Sequence, residues 1–269
     1  MKKRRVNLHV ARHTVVTIVL LLVVLPLMAL VHHAMARGAG TFWSDVTDPV
    51  AVHALGLTIV LAAITATINA VAGTAIAWVL VRHDFPGRRA LSAAVDAPFA
   101  VPTLVTGVLL VTLYGPQSSF GAWLIAHEVP IAFARPGIIL AMLFVTVPLA
   151  VRTVEPVLAE LDPDEQDAAL TLGARPWLVF RRVLLPPLVP AIAAAWVQVF
   201  ARSIAEFGSI AAVSGNMPHE TLVASVYVLG ELESGSSRTA AAVSVVLLFA
   251  ALMLQPLAQR LSKRVVQDG

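Results

Sequence analysis

The sequence predicts an all-α polytopic membrane protein with six transmembrane helices. Of its 269 residues 58% are hydrophobic and only 13% are charged, whereas an ordinary soluble domain has about 25% charged residues. Apolar runs long enough to cross about 30 Å of hydrocarbon recur along the chain. The basic residues lie at the ends of these runs, so membrane topology explains the pI of about 9.8, and nucleic-acid binding is not indicated. The chain has no cysteine, which excludes a disulfide framework and a thiolate metal site.

The six predicted spans alternate with loops of very different charge. They lie at roughly 14–35, 52–81, 91–114, 136–154, 187–213 and 239–259. Fifteen of the nineteen Lys and Arg residues lie before the first span, at 82–90, at 152–186 or after the last span. The alternate loops hold only Arg37, Arg135 and Arg238. Because cytoplasmic loops are enriched in Lys and Arg, we expect both termini and the segment 152–186 in the cytoplasm.

The first span has a second interpretation. A basic start, an apolar stretch and Ala34-Met35-Ala36 also fit a signal peptide with a small-residue cleavage site. The apolar run is longer than a usual signal peptide requires, and cleavage would leave five spans with the amino terminus outside. We therefore favour an uncleaved first span.

The second and third spans carry residues that affect helix packing. Hydroxyl and small residues such as Thr58, Asn69 and Gly73 let helices approach closely in lipid, although such a face could also line a passage. In the third span, Pro98 and Pro102 each remove a backbone donor. The pair predicts a kinked or broken helix, a feature common where a helix lines a passage.

The fifth span carries polar residues at helical spacing. Gln198, Arg202, Glu206 and Ser209 recur at i, i+4, i+8 and i+11, which predicts one polar stripe on an apolar helix. A charge near mid-bilayer costs at least about 2.5–3.5 kcal/mol and is tolerated where it faces protein or water. Arg202 and Glu206 therefore form either a structural ion pair or part of a passage. A polar turn at the predicted outer face follows and includes Ser214 and Asn216.

The cytoplasmic segment 162–186 is the longest polar-flanked interruption between apolar blocks. Asp162 is a good N-cap, and Pro163 suits the first position of a helix. Gly173 provides a stop for this helix, and a second short helix can begin at Pro176. Two short helices that meet at a glycine beside a membrane predict a docking element for another protein.

The sequence lacks the usual motifs of catalysis. Its three lysines, Lys2, Lys3 and Lys263, do not follow a glycine-rich loop, so this chain cannot hydrolyse nucleotide alone. We expect no catalytic, metal or cofactor-binding residues, and a membrane-embedded enzyme is disfavoured. An ion-coupled secondary transporter using Arg202 and Glu206 remains an alternative, although the inverted repeat typical of that class is absent.

The cytoplasmic segment resembles the signature of binding-protein-dependent ABC importer permeases. That signature is E-A-A, three residues, G, nine residues, and I-x-L-P. Here it reads Asp167-Ala168-Ala169, Gly173 and Val183-Leu184-Leu185-Pro186. Only Asp for Glu and Val for Ile depart from it. The resemblance implies the type I (MetI-like) permease fold, in which coupling helices at 162–186 sit in a groove of an ATPase subunit. The coupling residues would be Asp167, Ala168, Ala169, Gly173, Pro176, Arg181 and Pro186.

Within these permeases the chain is similar to the T-type subunits of sulfate/thiosulfate transporters. The similar stretches are 57–89, 96–116, 151–174 and 201–225. The block from Glu206 to Pro218 also occurs in molybdate permeases, so molybdate or tungstate is an alternative substrate. Ser203 and Ala205 depart from the commoner pattern before Glu206, so helix packing there can differ.

The resemblance also implies a domain organisation and a set of partners. It divides the chain into a cytoplasmic 1–13, a first helix with its periplasmic loop at 14–50, a permease domain at 51–260 and a cytoplasmic 261–269. The partners would be a W-type permease subunit or a second copy, two ABC ATPase subunits that bind ATP and Mg, and a periplasmic sulfate-binding protein. The complex would lie in the bacterial inner membrane. Its passage would be lined by Gln198, Arg202, Glu206, Ser209, Ser214 and Asn216.

Overall fold

A computed structural model describes residues 8–267 of the chain, and within them the side chains of 12–254 and Pro256. Across that range the chain forms helices joined by turns, and no strand occurs in it. Of the predicted cytoplasmic ends, 1–13 and 261–269, residues 1–7 and 268–269 lie outside the described range.

The chain opens with a long apolar helix and a short one. The first consists of α1 (Leu8–Val19), a π-helical turn (Leu20–Val24) and α2 (Leu25–Ala34). The π-helical turn ends two residues before Pro26, which cannot donate a backbone hydrogen bond. The short helix α3 (Ala39–Val46) follows.

The helix α4 (Pro49–Arg82) is the longest helix described, with 34 residues. Asp48 caps it, since its carboxylate accepts hydrogen bonds from the backbone N–H groups of Val50 and Ala51 at 2.9 and 3.3 Å. Pro49 occupies the first helical position, where a missing N–H costs nothing. The helix ends at a turn in which Gly87 has φ +95°.

The predicted third span is broken, as its prolines indicated. It consists of α5 (Arg88–Ala100) and α6 (Thr103–Tyr114), which are bent by 111° relative to each other. The break lies at Val101 and Pro102, and Pro102 stands at the N-cap of α6. The proline pair therefore produces two half-length helices rather than a kink.

The chain then returns through a short helix and a long one. These are α7 (Ser119–Ala126), capped by the hydroxyl of Ser118, and α8 (Arg135–Glu160). The helix α8 leads into α9 (Pro163–Thr171), the first short helix of the segment 162–186.

The prediction of a fifth span at 187–213 is wrong at both ends. Helical structure runs without interruption from α10 (Pro176–Val179) through a π-helical turn (Phe180–Leu184) into α11 (Leu185–Ile204). The span therefore begins inside the predicted docking element. It ends at Ile204, and Gly208–Val213 form a separate helix, α12.

The last part of the chain contains α13 (Ala224–Glu233) and α14 (Ser237–Gln267). Within the described residues, five helical stretches are long and apolar enough to cross a membrane. They are Arg12–Ala34, Pro49–Arg82, Arg135–Glu160, Pro176–Ile204 and Ser237–Leu254. The bent α5–α6 pair makes a sixth if it is counted as one span. The predicted all-α, multi-pass membrane architecture is confirmed.

The core lies where α4, α8 and α11 pack together. Its buried side chains include Leu80, Val151, Leu158, Leu188 and Val199. Polar residues of α4 bind neighbouring helices: the Asn69 amide donates to Thr146 Oγ1 of α8 at 2.8 Å, and Thr58 Oγ1 accepts from the backbone N–H of Ala224 of α13 at 2.9 Å. The packing interpretation of the second span is therefore supported.

Gly73 is the point of closest approach between α4 and α8. A Cβ atom on Gly73 would lie 2.6 Å from the Cβ of Ala150 and 3.2 Å from backbone atoms of α8. Gly56, on the same helix, has no atom within 4 Å of the corresponding position.

We expect Gly73→Leu to destabilise the chain by about 1–3 kcal/mol, because overpacking forces α4 and α8 apart. Gly56→Leu is the matched control, since it gains the same helix propensity without a clash. Thermal unfolding in detergent measures both. Equal melting temperatures for the two variants would contradict the close α4–α8 contact.

Candidate functional site

Two helix breaks in the described part of the chain lie against each other. One break separates α5 from α6 at residues 101–102, and the other separates α11 from α12 at residues 205–207. The helices that follow the breaks, α6 and α12, pack together through glycines. A Cβ on Gly107 would lie 2.5 Å from the carbonyl oxygen of Ser209, and one on Gly208 would lie 2.3 Å from Thr103 Oγ1. Only glycine permits this backbone contact.

Glu206 lies inside the second break and is 1% exposed. Its carboxylate accepts from Arg202 Nη1 at 2.7 Å, and from the backbone N–H and the hydroxyl of Ser209 at 3.1 and 2.9 Å. Its own carbonyl accepts from Ser225 Oγ at 2.8 Å. The carboxylate therefore joins the end of α11 to the first turn of α12, and the Ser225 bond fixes the break to α13.

The prediction of one continuous polar stripe is wrong, although three of its members do meet. Because α11 ends at Ile204, Glu206 and Ser209 do not lie at i+8 and i+11 of a helix. The three residues meet through Glu206, whose carboxylate pairs with Arg202 on one side and accepts from Ser209 on the other. The Arg202 side chain is 38% exposed, so its guanidinium remains accessible while Glu206 neutralises part of its charge.

The other predicted passage residues lie apart from Glu206. Gln198, two turns before the end of α11, lies 3.4 Å from the hydroxyl of Thr153. Ser214 is buried, and its hydroxyl donates to the carbonyl of Thr221 at 2.7 Å. Asn216 is exposed, with a left-handed φ of +54°. Ser209 and Ser214 thus satisfy protein groups, whereas Arg202, Gln198 and Asn216 present accessible polar surface.

Two buried hydroxyls near the breaks were not found from the sequence. Thr106 Oγ1, beside Gly107, and Ser203 Oγ, at the end of α11, have no hydrogen-bond partner in the described part of the chain. Serine and threonine are common in packed membrane helices, so the residue types alone gave no reason to select these two. Buried polar atoms without partners are rare, and both lie next to a helix break.

The segment 162–186 consists of the short helix α9, a glycine turn and the first turns of the long helix that begins at Pro176. Asp162 caps α9 by accepting from the Asp164 N–H at 2.9 Å, and Gly173 has φ +84° with no atom within 4 Å of a Cβ position. Leu172 is 89% exposed and Trp177 is 68% exposed. Large apolar side chains exposed at the tip of a polar segment indicate a surface for another protein.

The predicted coupling residues of this segment are accessible at its surface, with one of them half-buried. Asp167, Ala168, Gly173, Pro176, Arg181 and Pro186 are exposed, and Ala169 is half-buried.

Arg152 connects the helix that leads into this segment with the first break. On α8, its Nε and Nη2 donate to the two carboxylate oxygens of Asp96 at 2.8 and 2.5 Å. Nη2 also donates to Ser92 Oγ at 2.8 Å, and Nη1 pairs with Glu155. Since Ser92 and Asp96 lie on α5, this cluster ties α8 to the helix that ends at the break. The sequence indicated only a topological role for Arg152.

The chain is similar to membrane components of known transport systems. Residues 69–266 match the model of the family described as binding-protein-dependent transport system inner membrane component. A probable sulfate transport system permease protein cysT of Nephroselmis olivacea is 44% identical over 231 residues, 86% of this chain and 81% of that protein. The sulfate transport system permease protein CysT of Escherichia coli is 38% identical over 252 residues, 92% and 91% of the two chains.

Solved structures share the arrangement of helices at low sequence identity. A chain of a bacterial ABC transporter involved in the import of the acidic polysaccharide alginate has a TM-score of 0.79 at 19% identity, with 98% of both chains covered. A chain of the MetNI methionine ABC transporter has a TM-score of 0.58 at 19% identity, covering 80% of this chain and 95% of that one.

We expect Glu206→Gln to destabilise the chain less than Glu206→Leu. The amide oxygen can still accept from Ser209, so the Gln variant loses mainly the charge interaction with Arg202. The Leu variant also leaves the Ser209 N–H and hydroxyl without their acceptor in a buried site, which lowers the free energy of unfolding by about 1–3 kcal/mol more. Thermal unfolding measures both, with the exposed Glu220→Leu as control. Equal losses in the Gln and Leu variants would show that the Ser209 bonds contribute nothing.

Proposed function

Since the chain belongs to the binding-protein-dependent transport system inner membrane components, among them to the CysT-like permeases, we propose that it is the membrane-spanning subunit of an ABC importer for sulfate. The predicted type I permease fold is confirmed by the solved structures. The observation that carries the proposal is the exposed segment 162–186, in which α9, a glycine turn and the start of the next helix bear the signature residues of these permeases. The sulfate transport named for the relatives at 38–44% identity supports the substrate.

The segment 162–186 docks on an ATPase subunit. Ala168 and Ala169 allow close seating, Gly173 allows the sharp turn, and Leu172 and Trp177 supply exposed apolar surface. Since this chain lacks a phosphate-binding loop, ATP and Mg bind to the ATPase partners. Two such partners would pull on the segments of two permease subunits when they close around nucleotide.

Motion of the segment 162–186 can reach the helix breaks through side-chain contacts and through a continuous helix. At one end of the segment, α8 holds α5 through Arg152 and Asp96, and Arg82 Nη2 on α4 donates to the Leu161 carbonyl at 3.3 Å. At the other end, α10 continues into α11, which ends at the second break. A displacement of the segment therefore acts on both breaks together.

The passage runs beside the two breaks, between this chain and a second permease subunit of W-type or a second copy. Non-helical backbone at membrane depth is tolerated where it is buried or lines a water-filled cavity. A passing dianion meets the accessible guanidinium of Arg202. Because Glu206 already pairs with Arg202, the attraction is moderate, which suits a passage that must release its ion.

The complex receives its anion on the outer face from a periplasmic sulfate-binding protein. One of the structurally similar transporters was solved with an alginate-bound periplasmic protein, which supports this architecture. The distribution of Lys and Arg supports cytoplasmic termini and a cytoplasmic segment 162–186. The resemblance to bacterial permeases supports a location in the bacterial inner membrane.

We expect Gly173→Asp to abolish ATPase association while the chain still inserts in the membrane. Gly173 needs a left-handed backbone, which non-glycine residues adopt only at a cost, and the new charge lies at the docking turn. Gly235→Asp is the matched control, because Gly235 also has a left-handed φ, +87°, and no atom within 4 Å of a Cβ position. Co-purification with the ATPase measures the effect. Unchanged association in Gly173→Asp would argue against the docking role.

We expect proteoliposomes holding the complete complex and the binding protein to take up labelled sulfate only with ATP. Excess unlabelled sulfate should abolish the signal, and parallel competition with thiosulfate and molybdate ranks the oxyanions. Uptake by this chain alone under an ion gradient would instead identify a secondary transporter. Stronger competition by molybdate than by sulfate would overturn the substrate assignment.

A further inference from the structure

An open apolar groove lies between α4 and the elbow formed by α10, the π-helical turn and the start of α11. Its volume is about 680 Å³, within the range of about 300–1,000 Å³ typical of small-molecule sites. Val71, Ala75 and Trp78 of α4 line one wall, and Trp177, Phe180 and Ile192 line the other. The passage proposed above does not use this groove.

Aromatic rings mark the level of the groove in the membrane. The rings of Trp78 and Phe180 meet edge to face at 6.0 Å, and Trp177 stacks on Phe180 at 5.6 Å. Tryptophan concentrates where hydrocarbon meets the headgroups, since its ring has an apolar body and one polar N–H. Four residues beyond Trp78, α4 ends at Arg82. The groove therefore extends from the hydrocarbon region to the headgroup level.

The guanidinium of Arg82 marks the rim of the groove at this end, beside the lining residue Trp78. Arg82 Cζ lies 5.9 Å from the ring centre of Trp78, and its Nε is buried without a hydrogen-bond partner. Arg181 and Arg182 directly follow Phe180 and are exposed. Among the side chains described, 12–254 and Pro256, no carboxylate forms an ion pair with any of these three arginines. The rim thus carries the positive charge of Arg82, and the described side chains offer this charge no anionic partner.

We propose that the groove binds an anionic phospholipid, with an acyl chain against Ala75 and Trp78 and the phosphate at Arg82. The occupant must combine an apolar tail with a negative head, and that combination identifies an acidic lipid. A zwitterionic lipid would fill the same space but carries no net charge to match the rim. Basic pockets between membrane helices on the cytoplasmic side bind anionic headgroups in this way.

The bound lipid braces the segment 162–186 against α4. Trp177 and Phe180 belong to the segment and also form one wall of the groove, while Val71, Ala75 and Trp78 belong to the core helix. A lipid between these walls links the two. This step rests on the proposed function, whereas lipid binding depends only on the groove and its rim.

The test is lipid retention by the purified full-length chain in mild detergent, measured by native mass spectrometry. The chain is incubated with phosphatidylglycerol and phosphatidylcholine of the same acyl composition at equal concentration. We expect phosphatidylglycerol to be retained about tenfold more strongly. Ala75→Phe fills the groove from an exposed position and should remove retention of both lipids. Arg82→Gln should retain both equally.

Two controls separate this site from general effects of bulk and charge. Val60→Phe adds bulk to an exposed position about four turns from Ala75 on the same helix, and Arg89→Gln removes a charge near the same membrane edge. Both should behave like the unaltered chain. Thermal unfolding of all four variants checks that the fold is kept.

Three results would overturn the proposal. They are equal retention of the two lipids by the unaltered chain, unchanged phosphatidylglycerol retention in Ala75→Phe, and equal effects of Arg82→Gln and Arg89→Gln. Loss of retained lipid on assembly with a second permease subunit would assign the groove to that subunit instead. If lipid binds as expected but sulfate uptake is absent, only the proposed function fails.

Discussion

The arrangement of the candidate site depends on the buried carboxylate of Glu206. A break in a membrane helix exposes backbone N–H and C=O groups that lipid cannot satisfy, each at a cost of several kcal/mol. Glu206 satisfies one of these backbone groups, because it accepts from the Ser209 N–H at the start of α12. It also pairs with Arg202 at the end of α11. The same residue is bound through its carbonyl by Ser225. These bonds hold the backbone of residues 205–207 in its non-helical path.

The close contact of α6 with α12 links the helix break at Glu206 to the break between α5 and α6. Gly107 and Gly208 lack the Cβ atoms that would clash with the opposite helix, so the break at 101–102 lies against the break at 205–207. One break is caused by proline and the other is fixed by a buried acid. The two therefore form one structural unit, in which movement of either half-helix displaces the other.

The segment 162–186 is mechanically suited to act on this unit. It follows α8, and its second half is the start of the helix Pro176–Ile204. Both of its ends are therefore anchored in the core. Arg152 and Arg82 add polar contacts from α8 and from the end of α4. A stiff connection of this kind transmits force, whereas a flexible loop would absorb it. Specific recognition of the anion can then belong to a separate receptor, since the passage itself offers only a partly neutralised guanidinium.

Much of the fold and of the docking segment followed from the sequence by itself, because the causes are local. Apolar runs predicted the membrane spans, Pro98 and Pro102 predicted a break, and Asp162 with Gly173 predicted the limits of α9. The spacing from Asp167 to Pro186 indicated the family that the comparisons confirmed. Each of these depends on a residue and its neighbours in the chain.

Only the tertiary structure decided where the fifth span ends and which polar groups meet. The stretch from Ala191 to Phe207 contains neither proline nor glycine. No local signal therefore ends the predicted helix at Ile204, where α11 stops. The Arg152–Asp96 pair joins residues 56 positions apart, and no local pattern reports such a contact. The end of the helix and the partners of Arg152 are set by hydrogen bonds to distant elements, whose energies exist only once the helices have packed.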